Sequence, residues 1–155
     1  MRFLCDEMLK GVARWLRVAG YDAVVACDRT QDRFLLERAS KEGRILLTRD
    51  RKLAASRPAE ANVVLLKCED LDECFRELRD RLGVDWLHRP FSRCLACNTP
   101  LVEVGQDRWN EIPEYSREQA SRLFLCPSCN QLFWDGSHVA RMQERLKAAT
   151  QQQNE

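Results

Sequence analysis

The sequence has no apolar run of about 18 residues, the length a membrane-spanning helix needs. It has no secretory leader either: a charge stands at Arg2 and acids at Asp6 and Glu7, where such a leader would be apolar. These absences leave a cytoplasmic chain with no membrane partner as the expectation. Strong net charge is missing too, because 25 cations are offset by 24 anions. Global electrostatics therefore does not announce nucleic acid, although a basic patch on one face stays open. Lysine is scarce, 5 against 20 arginines. Arginine is the better bidentate phosphate ligand, but a GC-rich genome explains the bias as readily.

What is present begins with Arg2-Phe3-Leu4-Cys5-Asp6-Glu7, a short apolar run ending in two carboxylates. A second run, Ile45-Leu46-Leu47-Thr48-Arg49-Asp50, also ends in an acid. Leu9, Val12, Ala13 and Leu16 recur at helical spacing over Met8 to Ala19, and Gly20 stops that helix. Further strands are expected at Asp22 to Cys27 and Asn62 to Lys67, each nearly continuous in apolar character. A polar turn at Asp28 to Gln31 precedes a helix to about Glu42, for which Asp32 can serve as the cap. Leu71, Cys74, Phe75, Leu78 and Leu82 form an amphipathic stripe. Alternation of strand and helix through residue 82 predicts an α/β fold with a parallel sheet.

Val84 to Arg93 lacks periodicity, contains Pro90 and reads as a linker, with domains expected at 1–88 and 89–155. Beyond it lie two C-x-x-C turns, Cys94/Cys97 and Cys126/Cys129, separated by 28 residues. Four thiolates suit a closed, structural zinc site. Asn98 and Asn130 follow the second cysteine of each turn, where a left-handed backbone is needed. Short strands are expected at 101–104 and 131–134, a helix at Ser116 to Leu123, and a last helix marked by Val139, Met142 and Leu146. His88 and His138 are not needed for four-coordination and read as surface or packing residues. Cys5, Cys27, Cys68 and Cys74 read as buried thiols acting as small hydrophobes.

In an open parallel sheet, functional groups collect beyond the carboxyl ends of the strands. Asp6 and Asp50 there invite a hard cation, Mg²⁺ or Mn²⁺, which stabilises both oxygens of a phosphodiester under attack. Asp32 is the best third ligand. Each acid has a plainer role as a helix cap.

The succession Leu4-Cys5-Asp6-Glu7, Leu16 to Asp22, Asp32 with Leu36 and Ala39, and Gly43 to Asp50 resembles a PIN-like ribonuclease domain. With the two C-x-x-C turns and Phe133-Trp134-Asp135-Gly136-Ser137-His138, nearly the whole chain is similar to the Mut-seven carboxy-terminal RNase family. That resemblance implies a three-layer α/β/α PIN-like domain followed by a zinc ribbon, and a metal-dependent nuclease acting on RNA. It implies Asp6, Asp32 and Asp50 as ligands of Mg²⁺ or Mn²⁺, with Glu7 as a fourth acid. Thr48 would orient a ligand or water, and Arg49 or Arg51 would contact a substrate phosphate. Cys94, Cys97, Cys126 and Cys129 would hold zinc. The competing expectation is a non-catalytic RNA- or protein-binding module, with the ribbon as the gripping surface for a protein partner.

Overall fold

The computed structural model describes residues 1–27 and 31–151. Four short strands, β1 (Arg2–Cys5), β2 (Asp22–Val25), β3 (Ile45–Thr48) and β4 (Val63–Leu65), form one sheet in the order β2-β1-β3-β4. All its pairings are parallel, with Leu4 opposite Val24 on one side and Leu46 on the other. Side chains alternate faces along a strand, and both faces here are apolar. Phe3, Cys5, Leu47 and Val64 pack into one core with α1 (Lys10–Val18) and α4 (Leu71–Leu82). Leu4, Leu46 and Val63 pack into the other, with α2 (Asp32–Glu42) and α3 (Arg51–Ala55). The outcome is the expected three-layer α/β/α sandwich.

The chain leaves β1 to form β2 on one side, then crosses to place β3 on the other. The order of connection reverses between β1 and β3. That reversal opens a crevice beyond the carboxyl ends of these two strands, where α/β sheets bind ligands.

Several local expectations need correction. The first helix does not run from Met8: a 3₁₀ turn covers Glu7–Leu9 and α1 follows, because Asp6 caps the tight turn. The cap of α2 is Gln31, not Asp32, which is already the first helical residue. The polar turn at Asp28 to Gln31 falls, apart from Gln31, outside the described residues, as does the tail beyond Gln151. Cys68 and Cys74 are not free thiols; they form a disulfide with Cα atoms 5.0 Å apart. Cys27 is exposed. Only Cys5 is the buried thiol expected of these four, and burial pushes it up to about 12.

The segment expected to be a linker is packed instead. Val84 and Trp86 are buried, and the Trp86 indole donates to the Phe75 carbonyl at 3.1 Å. The amides of Arg89 and Phe91 donate to the carbonyls of Ala19 and Val18. This strap runs so close to Gly20 that a Cβ there would lie 2.2 Å from the Arg89 carbonyl oxygen, at a φ of +95°. Gly20→Ala is therefore expected to cost roughly 3 kcal/mol or more, from backbone strain plus displacement of the strap. Urea denaturation checks this; a loss below about 1 kcal/mol would mean that the strap shifts freely.

The ribbon is a three-stranded antiparallel sheet, β5 (Val102–Val104), β6 (Leu123–Leu125) and β7 (Leu132–Trp134), in that order. The helix expected at Ser116 to Leu123 is instead α5 (Glu114–Arg117), starting directly after Pro113, and Leu123 opens the central strand β6. The last helix, α6 (Ser137–Gln151), returns to the first core, where Leu146 and Ala149 are buried. Arg145 reaches Asp72 at 2.8 Å and lies over the rings of Trp15 and Phe75. Among the described residues, no helix is long and apolar enough to cross a membrane.

Candidate active site and metal centre

The four cysteine sulfurs lie within 4.8 Å of one another. Cys94 and Cys129 sulfurs are 3.7 Å apart, and those of Cys97 and Cys126 are 3.3 Å apart. Four sulfurs at zinc–thiolate bond length around one tetrahedral ion would be separated by about 3.8 Å. The donor set and its spacing therefore fit zinc. The turns are built for it: Asn98 and Asn130 adopt φ of +68° and +60°, the left-handed conformation that their position requires. Burial pushes the Cys94 thiol up to about 12, whereas hydrogen bonding with Thr99 brings Cys97 down to about 6. Sulfurs this close cannot all be thiolates without a cation among them.

The first turn is also fastened to the edge of the large sheet. Asn98 accepts from the Ala23 amide at 3.0 Å and donates to Asp22 at 2.7 Å. Burial raises the Asp22 carboxyl, but hydrogen bonds from Arg44 and Asn98 outweigh it and hold the group below its usual range. Buried Arg17 donates to the carbonyls of Ala23, Leu95 and Ala96. Asn98 thus does two things at once: its backbone closes the cysteine turn and its amide side chain covers the outer edge of β2. Arg17 and Asn98 were not legible as a pair, since 75 to 79 residues of sequence separate most of these contacts and no motif marks them.

At the other end of the sheet, Asp6 follows β1 and Asp50 follows β3, on adjoining strands. Asp6 is only 8% exposed and its carboxylate is held by three donors. Oδ1 accepts from the Met8 amide at 2.9 Å. Oδ2 accepts from the Thr48 hydroxyl at 2.5 Å and the Arg49 amide at 3.2 Å. Thr48, fully buried, also accepts from the Asp50 amide at 2.9 Å. One hydroxyl thus fixes Asp6 relative to the backbone that carries Asp50. Asp50 is exposed; its Oδ1 caps α3 by accepting from the amides of Lys52 and Leu53 at 2.7 and 3.2 Å.

The remaining predicted acids are not gathered there by any contact. Glu7 is exposed and pairs with Lys10 at 3.5 Å. Asp32 lines a cavity between α2 and the end of α3, with Ser56 and Pro58 across from it. Asp70 caps α4 through the Glu73 amide. Among the described residues, the cysteines are the one group of three or more ligand side chains close enough to share an ion. Asp6 and Asp50 follow β1 and β3, the two strands that border the reversal of connection order. Mg²⁺ needs no more than one or two carboxylates when it keeps several waters, so this pair fits such an ion on the chemistry of its donors.

Beside the acids is a basic cavity of about 640 Å³, lined by Arg49, Arg51, Lys67, Cys68 and Glu69 among others. Arg49 reaches across it to the disulfide, its Nη2 being 3.5 Å from the Cys74 sulfur and 3.9 Å from that of Cys68. Its buried Nε has no hydrogen-bond partner. In the sequence Lys67 is the polar residue ending a strand, and no motif gives it a substrate role.

The family model described as "Mut7-C RNAse domain" matches residues 1–146. The human protein described as "Exonuclease mut-7 homolog" is 32% identical over 126 residues, which is 76% of this chain. The chain spans only about 14% of that relative's length. No solved structure matches. The family match runs from β1 through both cysteine turns into α6, and the chain belongs to the Mut7-C RNAse domain family.

Proposed function

We propose that the protein is a metal-dependent ribonuclease whose active site is the crevice beyond β1 and β3. The observation that carries this reading is the Asp6–Thr48–Asp50 linkage at the point where the sheet's connection order reverses. The family description and the relative's name support an RNA-cleaving activity. Asp6 and Asp50 would hold Mg²⁺ or Mn²⁺, which supplies charge stabilisation at phosphorus and a more acidic water.

The protein's own groups divide the remaining work. Thr48 is a positioning residue: it locks the rotamer of Asp6 and anchors the Asp50 amide. The outer oxygen of Asp50 has no protein donor among the described residues and would be the atom that Asp50 offers to the ion. Arg49, Arg51 and Lys67 bring three cations to one cavity wall beside the acids, which suits the phosphates flanking the scissile bond. In-line attack then leaves a 5′-phosphate and a 3′-hydroxyl. Asp32 and Glu7 are assigned no part in this arrangement.

A second reading, a non-catalytic RNA- or protein-binding module, draws on the fact that Asp6 and Asp50 both serve as caps. Incubation of the zinc-loaded protein with single-stranded RNA separates the two. Cleavage is expected on adding Mn²⁺ and not in its absence. Binding without any metal-dependent turnover would favour the module.

A further inference from the structure

A second cavity, of about 540 Å³, lies between the ribbon and α1, on a different part of the surface from the acids. Tyr115, Phe133, Trp134 and His138 contribute rings to its lining. Tyr115 is 73% exposed, an aromatic ring left largely bare on α5. Gln119 and Gln131 bring side-chain amides, each able to donate and accept. Arg14 of α1 supplies a cation, and Arg141 stands behind His138, 3.3 Å from its Nδ1. Among the described residues, no carboxylate lines the cavity.

We propose that this cavity is a nucleobase subsite for single-stranded RNA. The proposal rests on the ribonuclease reading for the identity of the strand. Its own warrant is chemical. A flat base needs a ring to stack on, amides for its edge, and a cation for its phosphate; all three converge here without an opposing acid. The volume falls in the range of sites that enclose small ligands. Position adds a further argument. Arg14 follows Lys10 by one helical turn, and Lys10 pairs with Glu7 next to Asp6. Arg14 is eight positions beyond Asp6, across the 3₁₀ turn and the first turn of α1, on the order of 14 Å of axial rise. One flank of α1 therefore joins the two places, and a strand held by a base at the ribbon can reach the crevice with its backbone.

Binding of a short fluorescein-labelled oligouridylate, followed by anisotropy with zinc-loaded protein and no added Mg²⁺ or Mn²⁺, tests the subsite apart from cleavage. Tyr115→Ala is expected to weaken binding about 5- to 100-fold. Tyr115 is so exposed that its truncation leaves the fold intact. Arg14→Gln is expected to weaken binding and reduce the slope of log affinity against log salt by about one phosphate contact. A ribose-phosphate strand of the same length without bases provides the sharper readout. Wild-type protein should prefer the base-bearing strand, and Tyr115→Ala should lose that preference. Equal binding of both strands by wild-type protein overturns the subsite, as does unchanged affinity in Tyr115→Ala; the cavity would then suit a protein side chain. RNA cleavage with unchanged affinity in Tyr115→Ala would sink the subsite and leave the nuclease. Base-dependent binding without Mn²⁺-dependent cleavage would do the reverse.

Discussion

Cys126→Ser, or removal of zinc, is expected to unfold the ribbon and loosen the edge of the large sheet with it. The ribbon has little else to hold it: between the two cysteine turns, Ile112, Ser116 and Leu123 are buried, with Cys94 and Cys126. So small a core does little against the chain entropy of ordering the segment. Zinc binding by four thiolates would supply much of its folding energy. Its loss frees more than the ribbon, because Asn98 and the carbonyls of Leu95 and Ala96 leave Ala23, Asp22 and Arg17. The Ala23 amide at the β2 edge is then unpaired, and buried Arg17 keeps only the Ala23 carbonyl of its three acceptors. Hydrogen exchange should show loss of protection throughout β5 to β7 and at Ala23, while β3 stays protected. Restoring zinc should restore both regions, and Mn²⁺ should restore neither. Retained protection at Ala23 after zinc removal would mean that the ribbon docks without its metal.

The large sheet was legible because its strands are short, apolar on both faces and separated by amphipathic helices, a pattern with few other solutions. The zinc ligands were legible because a C-x-x-C pair carries its geometry within four residues. What sequence did not reveal depends on contacts between distant segments. The strap at 84–91 looks like a linker because its two buried side chains, Val84 and Trp86, lack any period. The Cys68–Cys74 bond joins the end of one strand to the next helix, and neither cysteine is marked as a partner by spacing. The helix expected at Ser116 to Leu123 takes in the first residue of β6, and Leu123-Phe124-Leu125 has no alternation to mark it as a strand. Strand ends mark Asp6 and Asp50 as candidates in the sequence, but no local rule says where Asp32, one helix away, turns. Asp32 lines a cavity together with Ser56 and Pro58.

Asp50→Asn is expected to lower RNA cleavage by at least about 100-fold while leaving stability within about 0.5 kcal/mol of wild type. The contrast lies in how the two acids are used. Asp50 caps α3 with one oxygen, and Asn caps a helix as well as Asp does. Its carbonyl can keep both amide bonds, so the substitution removes charge at the outer oxygen and little else. Asp6 has no such spare capacity. Its two oxygens serve the Met8 amide on one side and the Thr48 hydroxyl and Arg49 amide on the other. In Asp6→Asn the new NH₂ must face one of these amides, donor against donor, at a buried position. That variant is expected to lose cleavage as well, and in addition about 1–3 kcal/mol of stability. Thermal melts beside a cleavage assay check the pair. If Asp50→Asn cleaves like wild type with Mn²⁺ present, Asp50 is only a cap. If Asp6→Asn melts like wild type, the hydrogen bonds converging on that carboxylate are not what holds the turn after β1.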